Sequence, residues 1–170
     1  RKLAGDIEFY SHHRAMRSVR RADVVLMMID ASVPVSQVDK DLAGQIAEHA
    51  KPVALVVNKW DLADGQAEGE DYADYLARSF PQLSYAPVSL TAAQNAMNVR
   101  ETIDLAFELY QQANTRLQTS ELNEIIEQIV SERGPSHKRG TKRPKIFYVA
   151  QVDVAPPAIV CFVNDVRSFD

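Results

Sequence analysis

Two kinds of pattern alternate along the first two thirds of the chain. Val24 to Ile29 and Val53 to Val57 are unbroken apolar runs, too short for helices and with no polar position for water to face. Such runs are expected of strands covered on both sides in a parallel sheet. The intervening stretches repeat at helical spacing. From Asp6 to about Arg20, the residues Ile7, Phe9, Tyr10, Met16 and Val19 predict a helix with one apolar stripe. Ser36 is placed to cap a helix on which Val38, Leu42 and Ile46 recur every fourth position. Ala73, Leu76 and Phe80 give the inward face of a helix over Glu70 to Phe80. Val99, Ile103, Phe107 and Tyr110 give that of another, ending near Asn114. Tyr85 to Val88 is strand-like, and Pro87, which lacks a ladder donor, assigns it to a sheet edge. This alternation over residues 7 to 114 predicts a doubly wound α/β sheet.

The pattern then changes. Thr119 and Ser120 are N-cap candidates for a helix carrying Leu122, Ile125, Ile126, Ile129 and Val130, which Gly134-Pro135 stops. Ile146 to Val152 and Ala158 to Val163 are strand-like and are interrupted by Pro156-Pro157, which predicts a hairpin. Helix, strand, strand without a crossover is an α+β unit. The expected division is therefore residues 1–116 and 117–170.

Composition narrows the class without choosing a function. The 170 residues are 46% hydrophobic and 25% charged, ordinary values for a folded soluble chain. No apolar stretch reaches the ~18 residues of a membrane span, so no membrane partner is expected. Cys161 is the only cysteine, cannot close an internal disulfide, and sits in a strand-like run where a core position is expected. A reducing, cytoplasmic setting fits that usage. The net charge of −4 gives no general pull toward nucleic acid. Between Arg133 and Lys145, however, no acid interrupts Lys138, Arg139, Lys142, Arg143 and their neighbours, a local patch suited to phosphate. His12 and His13 are adjacent, the wrong spacing for a helical metal pair, and no metal site is expected. Arg14, Arg17, Arg20 and Arg21 read as a solvated face.

The chemistry concentrates where the second apolar run ends, in Asn58-Lys59-Trp60-Asp61. Parallel α/β sheets hold ligands at the C-terminal ends of their strands. In GTP-binding proteins an N-K-x-D sequence at this place reads guanine. A carboxylate at Asp61 can accept both donors on guanine's edge. Adenine lacks that donor pair, and a site left unsatisfied in this way discriminates by ~10⁴-fold or more. The Asn58 amide can bond the imidazole side of the base and tie loops together. The stem of Lys59 can lie along the base plane, and Trp60 supplies backbone and local packing. A second loop, aiming a backbone N–H at the keto oxygen, is expected one helix and one strand later, at Ser89-Leu90. Asp30 also ends a strand and looks chemical, but a structural role is the expected one.

With both loops in place, the chain resembles the Der (EngA) family of bacterial GTPases. The likeness is carried by DIEFYSHHRAMRSVRRADVVLMMIDAS, KPVALVVNKWDL and KRPKIFYVAQVDVAPPAIVCFVND. The resemblance implies the latter part of a P-loop-NTPase-type G domain, a parallel sheet with flanking helices, followed by the start of a KH-like α+β domain. It implies GTP or GDP as ligand, Mg²⁺ in the parent protein, and a monomer acting in assembly of the large ribosomal subunit through ribosomal RNA. Asn58, Lys59, Trp60, Asp61, Ser89 and Leu90 become the guanine-binding set. Lys138, Arg139, Lys142 and Arg143 become the RNA contacts. Leu90 stands where the family has alanine, so its side chain must turn away from the base.

The sequence contains no G-x-x-x-x-G-K-[S/T] phosphate loop and no Asp-x-x-Gly before the first helix. The chain, which opens on Arg1-Lys2-Leu3, is thus expected to be a piece of a longer protein, with part of its sheet and the Mg²⁺ ligands elsewhere. No catalytic residue is assigned and GTP turnover by this piece is not expected. The alternative is an RNA-binding or protein-docking module with a vestigial nucleotide pocket; no G-x-x-G loop supports ordinary single-strand KH recognition.

Overall fold

The computed structural model describes residues 14–63, 69–133 and 144–169. The chain forms two compact units, Arg1–Gln112 and Ala113–Asp170. In the first, β1 (Val25–Asp30), β2 (Val53–Asn58) and β3 (Val88–Leu90) form a parallel sheet in the order β1-β2-β3. Its registers pair Asp30 with Asn58 and Val57 with Leu90, which brings the C-terminal strand ends together. Helices α2 (Gln37–Glu48) and α3 (Gly69–Ser79) belong to the two connections, while α1 (14–21) precedes β1 and α4 (Val99–Asn114) follows β3.

β2 is the central strand, and Val53 to Val57 are all buried, as the apolar run predicts. Phe80, Ile46, Leu76 and Leu83 complete the core, each contributing about 1.5–3 kcal/mol by leaving water. Ser36 caps α2 as expected. Its hydroxyl accepts from the Asp39 N–H at 3.3 Å, and the Asp39 carboxylate accepts from the Ser36 N–H at 2.8 Å, a reciprocal capping box. β3 lies at the edge of the sheet among the described residues, but it begins at Val88 rather than Tyr85. The preceding backbone is spent on a 3₁₀ turn at Pro81–Leu83 and on the bond from Ala86 N–H to the Leu83 carbonyl.

Several faces differ from the periodicity. Val38 lies in the first turn of α2 and is exposed, leaving Ala43 and Ile46 as that helix's buried residues. β1 buries Met27 and Ile29 but exposes Leu26 and Met28, so only one of its faces is covered by described residues. In α4, Ile103, Phe107 and Tyr110 are exposed while Thr102 and Ala113 are buried. The Thr102 hydroxyl lies 2.7 Å from the Ser89 hydroxyl and donates to the Asn98 carbonyl at 2.7 Å, turning the polar residue inward.

In the second unit, α5 (Thr119–Arg133) packs on β4 (Ile146–Asp153), which pairs antiparallel with β5 (Ala158–Val163), the expected hairpin. Leu122 is buried, whereas Ile125 and Ile129 of the same apolar set are exposed. The Asn123 amide donates to the Val149 carbonyl and accepts from its N–H, both at 3.1 Å, so a side chain satisfies the backbone of β4 at this residue. Gln151 binds the incoming chain by accepting from the Leu117 N–H at 2.9 Å. Cys161 is exposed rather than core, because α5 packs on β4 and leaves β5 uncovered among the described residues.

Candidate functional site

The N-K-x-D residues occupy the turn that leaves β2, at the C-terminal edge of the parallel sheet. Asn58 is the last residue of the strand. Its side-chain oxygen accepts from the Ala93 N–H at 3.0 Å and lies 3.4 Å from the Thr91 hydroxyl. The backbone repeats the link, with Thr91 N–H donating to the Val57 carbonyl at 2.7 Å and Trp60 N–H to the Thr91 carbonyl at 3.0 Å. The two loops at residues 58–63 and 91–98 are thereby one construction. The amide nitrogen of Asn58 has no protein partner among the described residues, and neither does the exposed Asp61 carboxylate. These are the donor and acceptor groups that a base edge would engage.

Lys59 turns the chain with φ 60° and ψ 33°, a left-handed conformation that a side-chain-bearing residue adopts reluctantly. The turn is closed by Leu62 N–H donating to the Lys59 carbonyl at 2.9 Å and Ala63 N–H to the Trp60 carbonyl at 3.1 Å. The Lys59 ammonium sits 2.5 Å from Oδ2 of Asp30. The other oxygen of Asp30 accepts from the Ser32 N–H at 2.9 Å and its hydroxyl at 2.6 Å. Hydrogen bonds from Lys59 and then Ser32 lower the Asp30 carboxyl from its ordinary 3.8 to about 2.

Trp60 has a structural assignment more definite than its sequence suggests. Its indole meets the Tyr72 ring edge-on with centroids 5.4 Å apart, and Tyr72 meets Tyr75 at the same separation. The Tyr75 hydroxyl accepts from the Val35 N–H at 2.9 Å, so α3 braces both the motif and the loop after β1. Burial, with smaller contributions from Tyr75 and Asp30, raises the Tyr72 phenol above its ordinary value of 10.0. These two tyrosines fall beside the predicted inward positions of their helix, and only the i to i+3 spacing of aromatic residues hints at them.

Ser89 is engaged with Thr102, and Leu90 packs against the core; a Cβ placed on Gly69 would come within 3.0 Å of its side chain. The Leu90 carbonyl accepts from the Asn98 amide at 2.8 Å. Lys138, Arg139, Lys142 and Arg143 lie outside the described residues, as do His12 and His13. The four arginines of the leading helix are exposed. No group of three or more acidic, histidine or cysteine side chains placed to hold a metal occurs among the described residues. No described helix is long and apolar enough to cross a membrane.

Residues 116–170 match the family model described as the KH-domain-like, C-terminal part of EngA bacterial GTPase enzymes. GTPase Der of Rhodopirellula baltica is 45% identical over 99% of this chain and 37% of its own length. GTPase Der of Fusobacterium nucleatum is 35% identical over 96% of this chain and 37% of its own. The chain therefore spans a little over a third of the length of these curated relatives. In fold, it is similar to the crystal structure of a probable GTP-binding protein engB, with a TM-score of 0.52 and 16% identity over 66% of this chain and 70% of that one.

Proposed function

The chain belongs to the Der (EngA) family of bacterial GTPases, and from that premise we propose that it carries the base-reading half of a GTP-binding protein acting in assembly of the large ribosomal subunit. One observation carries the reading. The oxygen of Asn58 is committed to the neighbouring loop, while its amide donors and the Asp61 carboxylate are left to a ligand. In this reading Asp61 accepts the two donors of guanine's edge and the Asn58 amide donates to the imidazole nitrogen. Lys59 covers the base plane, Trp60 braces the turn, and Ser89-Leu90, at the end of β3, lies beside the keto oxygen. GTP and GDP are the ligands. Phosphates and Mg²⁺ require groups that neither the sequence motifs nor the described residues supply.

The test is nucleotide titration of the protein as the cell makes it. Asp61→Asn is expected to exchange guanine for xanthine preference, because the amide donates where the carboxylate accepted. Tight GDP binding unaffected by Asp61→Asn would sink the proposal. Measurable Mg²⁺-dependent GTP hydrolysis by the isolated chain would overturn the division of labour.

The second unit is proposed as the first part of a KH-like, RNA-facing domain, with the division at 1–116 and 117–170. The compact units dividing after Gln112 and the family match beginning at residue 116 support this reading. Contact with ribosomal RNA is assigned to Lys138, Arg139, Lys142 and Arg143. It is electrostatic and salt-sensitive rather than sequence-reading. Reversing those four charges should release the protein from ribosomal particles at physiological salt; unchanged binding rejects the assignment. The acid-free loop also favours the alternative of an RNA-binding or docking module with a vestigial pocket, for which the intact protein would bind no guanine nucleotide. A cytoplasmic monomer is the setting proposed for either reading.

A further inference from the structure

We propose that Asp30 is a positioning residue of the guanine site: anchored by Ser32, it holds Lys59 across the place where the base plane would lie. This rests on the reading of Asn58 to Asp61 as a guanine site and deepens it. Asp30 ends β1 directly opposite Asn58, and the Ala31 N–H donates to the Asn58 carbonyl at 2.9 Å, so the two strand ends are joined. The carboxylate divides its oxygens. Oδ1 takes both donors of Ser32, which fixes the plane of the group, and Oδ2 receives the Lys59 ammonium.

A turn-forming aspartate needs only the first of these arrangements. The second reaches across 29 residues of sequence to a lysine held in left-handed backbone, where glycine or asparagine would fit with less strain. Strain tolerated at a lysine, together with an aspartate aimed at its ammonium, assigns a use to the side chain. A free lysine samples many rotamers and would lose them when a base settles on its stem. Asp30 removes that freedom beforehand, which is preorganisation. The Lys59 side chain stays half exposed while paired, with 51% of its surface accessible, so its stem is fixed without being covered. Asp30 acts through Lys59 and has no contact of its own with the nucleotide.

The experiment measures GDP and xanthosine diphosphate affinity by calorimetry on the protein as the cell makes it. The variants are Asp30→Asn, Lys59→Met, the double variant and Asp61→Asn. Asp30→Asn keeps an oxygen for Ser32 and removes the charge; it is expected to weaken GDP about three- to fivefold, the scale of a solvent-accessible ion pair. Guanine-over-xanthine preference should not change, since the base edge is read by Asp61. In the Lys59→Met background, Asp30→Asn should have no further effect. A purely structural Asp30 would instead weaken GDP equally in both backgrounds. That result, or unchanged GDP affinity in Asp30→Asn while Asp61→Asn still exchanges the base, overturns the inference alone. If Asp61→Asn leaves GDP binding intact, the guanine reading falls and takes this inference with it. Ser32→Ala provides a second route should Asp30→Asn not fold. It loosens the anchor and is expected to weaken GDP in the same direction by a smaller factor, and unchanged affinity there overturns the inference as well.

Discussion

Replacing Asn58 by alanine separates what this residue builds from what it is proposed to read. The substitution removes the oxygen that accepts from the Ala93 N–H at 3.0 Å. The Thr91 hydroxyl, 3.4 Å from the same oxygen, keeps the Val57 carbonyl at 3.3 Å and loses little. One neutral hydrogen bond is worth ~1 kcal/mol net. In a chain of this size that corresponds to roughly 2–4 °C in the thermal midpoint. Asn58→Asp retains the acceptor but loses the donor. Its added charge sits opposite Asp30, so the comparison belongs in molar salt, where screening acts over about 3 Å. Under those conditions Asn58→Asp should unfold close to wild type and Asn58→Ala below it, followed by circular dichroism. Exchange of the Ala93 amide should accelerate only in the alanine variant. GDP affinity of the intact protein should fall in both, by roughly five- to tenfold, because both lack the amide donor. Equal midpoints for the two variants, or an Ala93 amide indifferent to Asn58→Ala, would refute the strut.

Phe80→Ala should cost ~3–5 kcal/mol in urea unfolding, whereas Ile103→Ala, half exposed on α4, should stay within about 0.5 kcal/mol in the isolated chain. Ala96 adopts φ 56°, and Ala96→Gly should raise stability by up to ~1 kcal/mol, against the usual direction for glycine. The Asp30 carboxyl should titrate near 2 by NMR and move upward in Ser32→Ala. Its folded value is depressed, so the stability it contributes is complete above 3.8 and is lost as pH falls from there through 2. A midpoint near 3.8 in the native protein would remove the ion pair from the account.

How much of this was legible depends on whether the deciding contact leaves a periodic trace. β2 is covered on both sides, and burial on both sides appears in sequence as an uninterrupted apolar run, so the strand and the motif at its end could be placed together. The capping box of α2 is local and equally readable. Helices α4 and α5 are different, because each carries apolar residues on more than one side. Periodicity then identifies a helix without saying which stripe packs. In α4 the choice is made by a polar contact, Thr102 with Ser89, which no hydrophobic pattern contains. In α5 the Asn123 amide bonds the backbone of β4, and its neighbour Leu122 is buried while Ile125 and Ile129 are exposed. The contacts that shape the site run from Asp30 to Lys59 and from Val35 to Tyr75, pairs distant in sequence that only the fold brings together.

That division also limits what the site can do by itself. The contacts giving the turn its shape are internal, so the geometry proposed to read the base persists in a chain without a phosphate loop. Affinity does not follow from shape. In the proposed reading, two charge-assisted hydrogen bonds accepted by Asp61 would be worth roughly 3–6 kcal/mol together, comparable with the ~4 kcal/mol lower estimate for lost translational and rotational freedom. Guanosine titrated to about 1 mM against Trp60 fluorescence should therefore leave the isolated chain unchanged, since a 1 mM dissociation constant already needs ~4 kcal/mol net. Saturation at micromolar guanosine would mean that the pocket gains far more from the base than these few groups supply, and that the phosphates are not the principal source of affinity. In the proposed reading Asp61 sets which base is accepted, and the energy that holds a nucleotide long enough for that choice to matter has to come from phosphate contacts outside this set of residues.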